Sequence, residues 1–457
     1  MLQLPAHHPD RFSLAEEVHA RPPEAISAPG RVTYVAIIVD PDQRDAERAH
    51  IAALCEHFGV QGPALSATHH STRLAGMRLK WERHGEFSGY TFLLEDEADQ
   101  APSFAKSAAD LLPSDWLEKL PGQTIAATHC ILIKGPIGDS SVQSGSVQSE
   151  SAQFKSTQAQ NLIGSHTLSE LFSANSMVGA RINDGAATAY TDFKLHAAAF
   201  TRFVLVDHGM TPRQTGQTAQ RLFEIEVYRT LALLALPIAR RQSPRILAIE
   251  RALAQLTDGI ARDGGNDETL LHELTRLAAE VESGLAASQF RFGACRAYHD
   301  LVQTRIAELR EQRITGMQTI DEFMGRRFNP AVATCTTVSQ RLHDLSERVA
   351  QASGLLSTRV EITRERQNQA LLSSMDSRAK MQLRLQQTVE GLSIAAIVYY
   401  LAGLTGYLAK ALKAAGLKID PDLAVGVSTP LLLLGVWFAV RRVRRSIAEN
   451  ESVKRII

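Results

Sequence analysis

The residues whose types could do chemistry begin at the start of the chain. His7, His8 and His19, with Glu16 and Glu17, are the imidazoles and carboxylates that a zinc ion takes as ligands. A metal site needs such side chains converging from fixed elements, and these spacings follow no zinc pattern. Glu17 and Arg21 are instead expected to form ion pairs as the leader packs across a neighbouring domain. His69-His70 and Asp207-His208-Gly209 read as strand-end and turn residues. His208, just before a helix start, becomes a candidate acid or base only if a cleft forms beside it. Lys134-Gly135-Pro136-Ile137-Gly138 lacks the glycine-lysine-hydroxyl order of a phosphate loop, and no GxSxG, HExxH or paired-cysteine motif occurs. Cys55, Cys130, Cys295 and Cys335 are scattered, as core thiols of a reducing compartment are. These absences lead us to expect a protein that is not an enzyme and carries no metal or cofactor.

Composition narrows the partners. The chain has 457 residues, with 49 basic and 49 acidic side chains, so no global field favours nucleic acid. The C-terminal region points to the lipid bilayer. Gly391–Ala409 holds 19 residues without a charge and Leu423–Val440 holds 18. As helices they span about 27–28 Å each, close to the ~30 Å hydrocarbon core. The connector 410–422 contains the turn signal Asp420-Pro421. A two-helix transmembrane hairpin over 391–440 is expected. Arg378, Lys380 and Arg384 precede it, and Arg441, Arg442, Arg444 and Arg445 follow it in a basic tail, 441–457. By the positive-inside rule both flanks, and with them the soluble part, are expected in the cytoplasm, with the short connector outside. Gly391, Ala395, Ala402 and Gly406 are small residues suited to close helix packing.

A leader, 1–30, carries five prolines and the combination His8-Pro9, Arg11, Leu14, Glu17 and His19-Ala20-Arg21-Pro22. With Val389-Glu390-Gly391-Leu392-Ser393 at the hairpin, it resembles a bacterial family of membrane-anchored proteins labelled domain of unknown function 3422. The resemblance covers nearly the whole chain and implies anchoring without an activity. It makes Arg11, Glu17, His19 and Arg21 the candidate functional motif.

The fold class expected is α+β. An α/β head, 31–210, opens with strands over 31–39, 72–83, 86–94 and 123–134, a helix to His57 and a second helix over 101–120 broken near Pro113. That order, β-α-β-β-α-β, is the ferredoxin-like arrangement. Asp139–Ser151 repeats SVQS and is expected to be a disordered insertion. Strands at 160–172, 177–182, 186–193 and 199–206 extend the first sheet or build a second, with Asn183-Asp184-Gly185 as a hairpin turn. A helical region, 211–328, starts at the capping box Thr211–Gln214 and breaks near Ser243-Pro244 and 263–266.

A coiled-coil stalk helix, 329–390, follows. Val338, Leu342, Leu345, Val349, Ala352 and Leu356 alternate at four and three residues. The seam turns polar through 359–369 and returns at Leu372, Met375, Ala379 and Leu383. It is either shared between subunits or packed on the 213–328 helices. A helix unbroken from 331 to 409 is about 120 Å long at ~1.5 Å per residue.

The layout of head, long helix, two spans and basic tail resembles CorA-type magnesium channels. Their ion filter is a Gly-Met-Asn motif at the outer end of the first span. Here Gly406 is followed by Tyr407 and Leu408, so the filter asparagine is missing and no filter residue carries over. Two functions follow as expectations. One is a membrane-anchored, oligomeric sensor or scaffold that self-associates through the stalk; the other is a divergent CorA-like divalent cation transporter.

Overall fold

The computed structural model describes residues 5–17, 22–96, 102–135, 165–261, 267–416 and 420–454. The expected insertion at 139–151, the break at 263–266, His19 and Arg21 lie outside them. The chain divides into two bodies, Met1–Ser353 and Gly354–Ile457.

The β-branched run at the start of the head becomes β1 (Gly30–Ile38), the first of nine strands in one mixed sheet. Helix α1 (Arg11–Glu17) precedes it, and α2 (Arg44–His57) follows. Then come β2 (His69–Leu74), β3 (Met77–Arg83), β4 (Phe87–Glu95) and β5 (Gln123–Lys134). The sheet order β3-β4-β1-β5, antiparallel throughout, is the ferredoxin-like order, and β2 adds an edge strand. Two details differ from expectation. The run 72–83 folds back at Ala75-Gly76, both at positive φ, so it supplies two strands. Instead of a helix, 102–120 forms turns and a 3-10 segment, Ala108–Leu111. Pro102, Pro113 and Pro121 recur too often for a helix interior, yet Ala108, Leu112, Trp116 and Leu120 still bury against the sheet.

The second half continues the same sheet. Residues Ser165–Leu171 form a helix, α3, where a strand was expected. A short apolar run suits either state by periodicity, and here it packs as a helix through Leu168 and Leu171. β6 (Val178–Ile182), β7 (Ala187–Thr191) and β8 (Thr201–Asp207) follow. Asn183, Asp184 and Gly185 all take positive φ in the β6–β7 turn. β8 joins β5 in parallel, stitched by a buried Thr128–Thr201 hydroxyl pair at 2.8 Å.

Helix α4 (Pro212–Leu233) starts at the Thr211–Gln214 capping box and lies on the sheet, with Phe223 stacked on Tyr34 at 5.2 Å. α5 (Ala235–Ala261) runs through Pro244, so the expected break there is absent. Pro244 and Arg240, whose carbonyl loses its partner, are both exposed, and water can satisfy that oxygen. α6 (Asp267–Leu309) packs on α4 and α5. Between them Arg221 meets Glu308 at 3.0 Å, and Arg305 bonds Glu224. After β9 (Gln312–Arg313), which pairs with β6, comes α7 (Ile320–Arg327).

Helix α8 runs Asn329–Ala414. Within the first body, Val338, Leu342, Leu345, Val349 and Ala352 are buried inside this chain. Arg341 bonds Glu250 of α5 at 2.7 Å, and Ser346 bonds Glu282 of α6. The four-three spacing there is a bundle seam, filled intramolecularly, and no longer open to a second subunit. In the second body, 361–389 is exposed at every residue. α9 (Pro421–Lys454) completes the chain.

Candidate functional site

Of the four motif residues of the leader, His19 and Arg21 lie outside the described residues. Arg11 lies exposed on α1, 2.6 Å from His7 Nδ1, and α1 ends at Glu17. Among the described residues no group of three or more His, Cys, Asp or Glu is placed to hold a metal. The segment just after the motif is firmly placed. Glu24 accepts hydrogen bonds from Ser71 of β2 at 2.6 Å and Arg78 of β3 at 3.1 Å. Arg78 also donates to Ala25 O, and the amide of the buried Ile26 donates to Pro212 O at 3.0 Å. The leader therefore ends as a strap from the sheet edge to α4.

Beside that strap lies a polar pocket under α4. Lys80 and Glu82, both buried, pair at 2.9 Å, and Lys80 reaches Gln220 at 3.5 Å. Burial pushes the Tyr34 phenol well above its usual range, with Tyr228 and Glu224 adding to the effect. The cavity is only about 30 Å³, room for one water. It is a satisfied core network and has no space for a substrate.

The candidate acid/base His208 has its Nε2 2.9 Å from Thr188 Oγ1, and its ring packs over Gly135. Asp207 turns back to accept from the amides of Gly209 and Met210. All four cysteines are free and buried, and burial pushes the Cys130 thiol up, away from thiolate chemistry.

His129 on β5 sits 3.0 Å from Thr33 Oγ1 and stacks on Phe200 at 3.9 Å. Burial holds its pKa down at about 4, opposed by Asp110 and aided by Arg202. The folded ring stays neutral where the unfolded one, at 6.5, takes a proton. Its stabilising contribution is complete above about pH 6.5 and is lost as pH falls toward 4, at up to about 1.4 kcal/mol per pH unit. His70, lowered by burial, acts in the same direction. Chemical denaturation from pH 7 to 4 should show falling stability, flattened in His129→Asn; an unchanged slope in that variant contradicts the assignment.

The second body holds the two apolar helical stretches. Two helical stretches, one within α8 and Pro421–Arg442 of α9, are long and apolar enough to cross a membrane. Leu392, Tyr399, Leu423 and Phe438 are 64–77% exposed, a pattern that water penalises and hydrocarbon accepts. Val398, Leu401, Ala402, Thr405, Gly406 and Ala409 are among the less exposed positions along the first of these stretches. Thr405 Oγ1 is 3.2 Å from Ser428 Oγ, and a Cβ on Gly406 would come 3.1 Å from Val425 Cγ2. Ala402 and Gly406 thus lie on the packed face, while Gly391 and Ala395, expected there too, are exposed. The hydroxyls need no lumen, since Thr405 also donates to Ala402 O and Ser393 to Val389 O. Arg441 lies 4.9 Å over the Trp437 ring, an aromatic-cation pair suited to the lipid interface.

The family described as "Protein of unknown function (DUF3422)" matches residues 6–447. No curated protein and no solved structure matches the chain.

Proposed function

The chain belongs to the DUF3422 family, and from that premise we propose that it is a bacterial inner-membrane protein without enzymatic activity. The second body inserts as a hairpin, the first stays in the cytoplasm as a ligand-binding head, and copies associate through α8. The carrying observation is the exposed apolar surface on both spans: the apolar window of the second has no residue buried. Basic residues on both flanks, Arg378 to Arg384 and Arg441 to Arg445, support the inward orientation.

Self-association is assigned to 371–389, since the seam over 338–352 is already filled. Leu371, Leu372, Met375 and Leu383 are about 60% exposed on one stretch of helix with nothing in the same body covering them. Burying such a stripe against a second copy recovers about 25 cal/mol per Å² of apolar surface. Transport of divalent cations has weaker support, because the span hydroxyls are bonded within the hairpin and the filter asparagine is absent.

One set of cysteine variants tests this. The chain should sediment with membranes and resist alkaline carbonate. Ala415→Cys in the connector should react with an impermeant maleimide in intact spheroplasts, and Gln340→Cys only after lysis. Met375→Cys should cross-link into dimers under mild oxidation. Extraction by carbonate sinks the anchor, the reverse labelling pattern sinks the orientation, and monomers throughout sink the association. Cation flux above empty liposomes restores the transport reading.

A further inference from the structure

A groove of about 560 Å³ opens in the head between α4, α7 and the loop that follows β7. Its size falls in the range of small-molecule sites, roughly 300–1,000 Å³. The floor is aromatic: Phe193 stacks on Phe323 at 4.8 Å, and the Arg229 guanidinium lies 5.3 Å over Phe193. The walls carry Lys194, Arg326 and Arg327, all exposed.

The charges around it do not cancel. Asp192, the acidic residue of the lining, already accepts from Asn175 Nδ2 at 2.8 Å and the Lys194 amide at 3.1 Å, and lies 2.9 Å from His196 Nε2. Lys194 Nζ donates to the neutral Asn175 Oδ1 at 2.8 Å. Arg229 is paired with Glu226 at 2.6 Å, yet its Nε is buried without an acceptor. Neither Arg326 nor Arg327 meets a carboxylate within 4.0 Å among the described residues. The α7 dipole favours cations in that helix's last turn. It does not account for their meeting Lys194 and Arg229 around one aromatic groove.

We propose that this groove binds a small organic anion, a carboxylate or phosphate on an apolar body. The anion sits among Lys194, Arg326 and Arg327, where guanidinium groups bind either oxyanion in a bidentate way. The apolar body lies on the Phe193–Phe323 pair. This rests on reading the head as a ligand-binding body, and it names the class of ligand that body takes.

The test uses the full chain in phosphatidylcholine nanodiscs, with empty nanodiscs subtracted. Calorimetric titrations compare 1-naphthyl phosphate, 1-naphthaleneacetate and the neutral 1-naphthalenemethanol. At least one anion should bind saturably, one per chain, and at least tenfold tighter than the alcohol. The double variant Arg326→Gln/Arg327→Gln should weaken it at least tenfold, while Arg213→Gln, a charge loss outside the groove, leaves it unchanged. The tighter anion identifies the headgroup. Absence of saturable binding by both anions overturns the proposal, as does equal affinity in the double variant. Since the sample is already membrane-embedded, either result leaves the anchoring reading standing.

Discussion

Replacing Glu47 by alanine is expected to lower head stability by about 3–5 kcal/mol, the usual consequence of removing one partner from a buried charge network. Glu47 is fully buried on α2. Its Oε1 accepts from Trp81 Nε1 at 2.9 Å and Tyr90 Oη at 2.7 Å, and its Oε2 from Arg83 at 3.0 Å. Trp81 and Tyr90 are themselves fully buried, so alanine leaves two donors without acceptors and a guanidinium without its counter-charge. At ~2–4 °C per kcal/mol the thermal midpoint should fall by roughly 6–20 °C. Glu47→Gln separates the two effects. Its amide oxygen can still serve Trp81 and Tyr90, but its NH2 then faces the Arg83 donor. Adding Arg83→Met to Glu47→Gln should recover part of the loss. A midpoint shift in Glu47→Ala no larger than that of Asp115→Ala, whose pair with Lys119 is solvent-exposed, contradicts the network's role.

Glu47 also shows how far the sequence could be read. It precedes Ile51, Leu54 and Cys55 by four, seven and eight residues, which puts a carboxylate on the apolar stripe of an amphipathic helix. The stripe was legible, and so were most of the strand positions, the Thr211 cap and the two apolar spans, because each rests on local periodicity or local composition. What covers a stripe is a tertiary fact. The Val338–Ala352 seam has a coiled-coil spacing, but only the placement of Glu250 and Glu282 beside it identifies its partners as α5 and α6. The turn at Ala75-Gly76 hid because alanine seldom takes positive φ. The basic groove hid for a stronger reason: Lys194, Arg229 and Arg326 come from three distant segments, and no spacing rule joins them.

Gly216→Ala is the second large effect, and its sign runs against helix propensity. Alanine is favoured over glycine inside a helix by about 0.8–1 kcal/mol, so the naive expectation is stabilisation. Yet a Cβ at Gly216 would stand 1.7 Å from Glu24 O and 2.9 Å from Glu24 C, the backbone of the strap. The strap cannot easily retreat, because Glu24 is held by Ser71 and Arg78 and Ile26 is buried with its amide on Pro212. Relieving the overlap means shifting backbone or releasing the strap, which costs about 1–3 kcal/mol or more by overpacking. Freed, the strap also exposes Ile26, worth a further ~1.5–3 kcal/mol. Set against the helix-propensity gain, the net expectation is a loss of about 1.5–5 kcal/mol, together with fast amide exchange at Ile26. Gly293→Ala on α6, with nothing within 4 Å of its added Cβ, should instead gain about 0.5–1 kcal/mol. If both variants are stabilised alike, the strap does not rest on α4. If only Gly216→Ala loses stability and Ile26 protection, the close approach of Glu24 O to Gly216 is what docks the strap on α4.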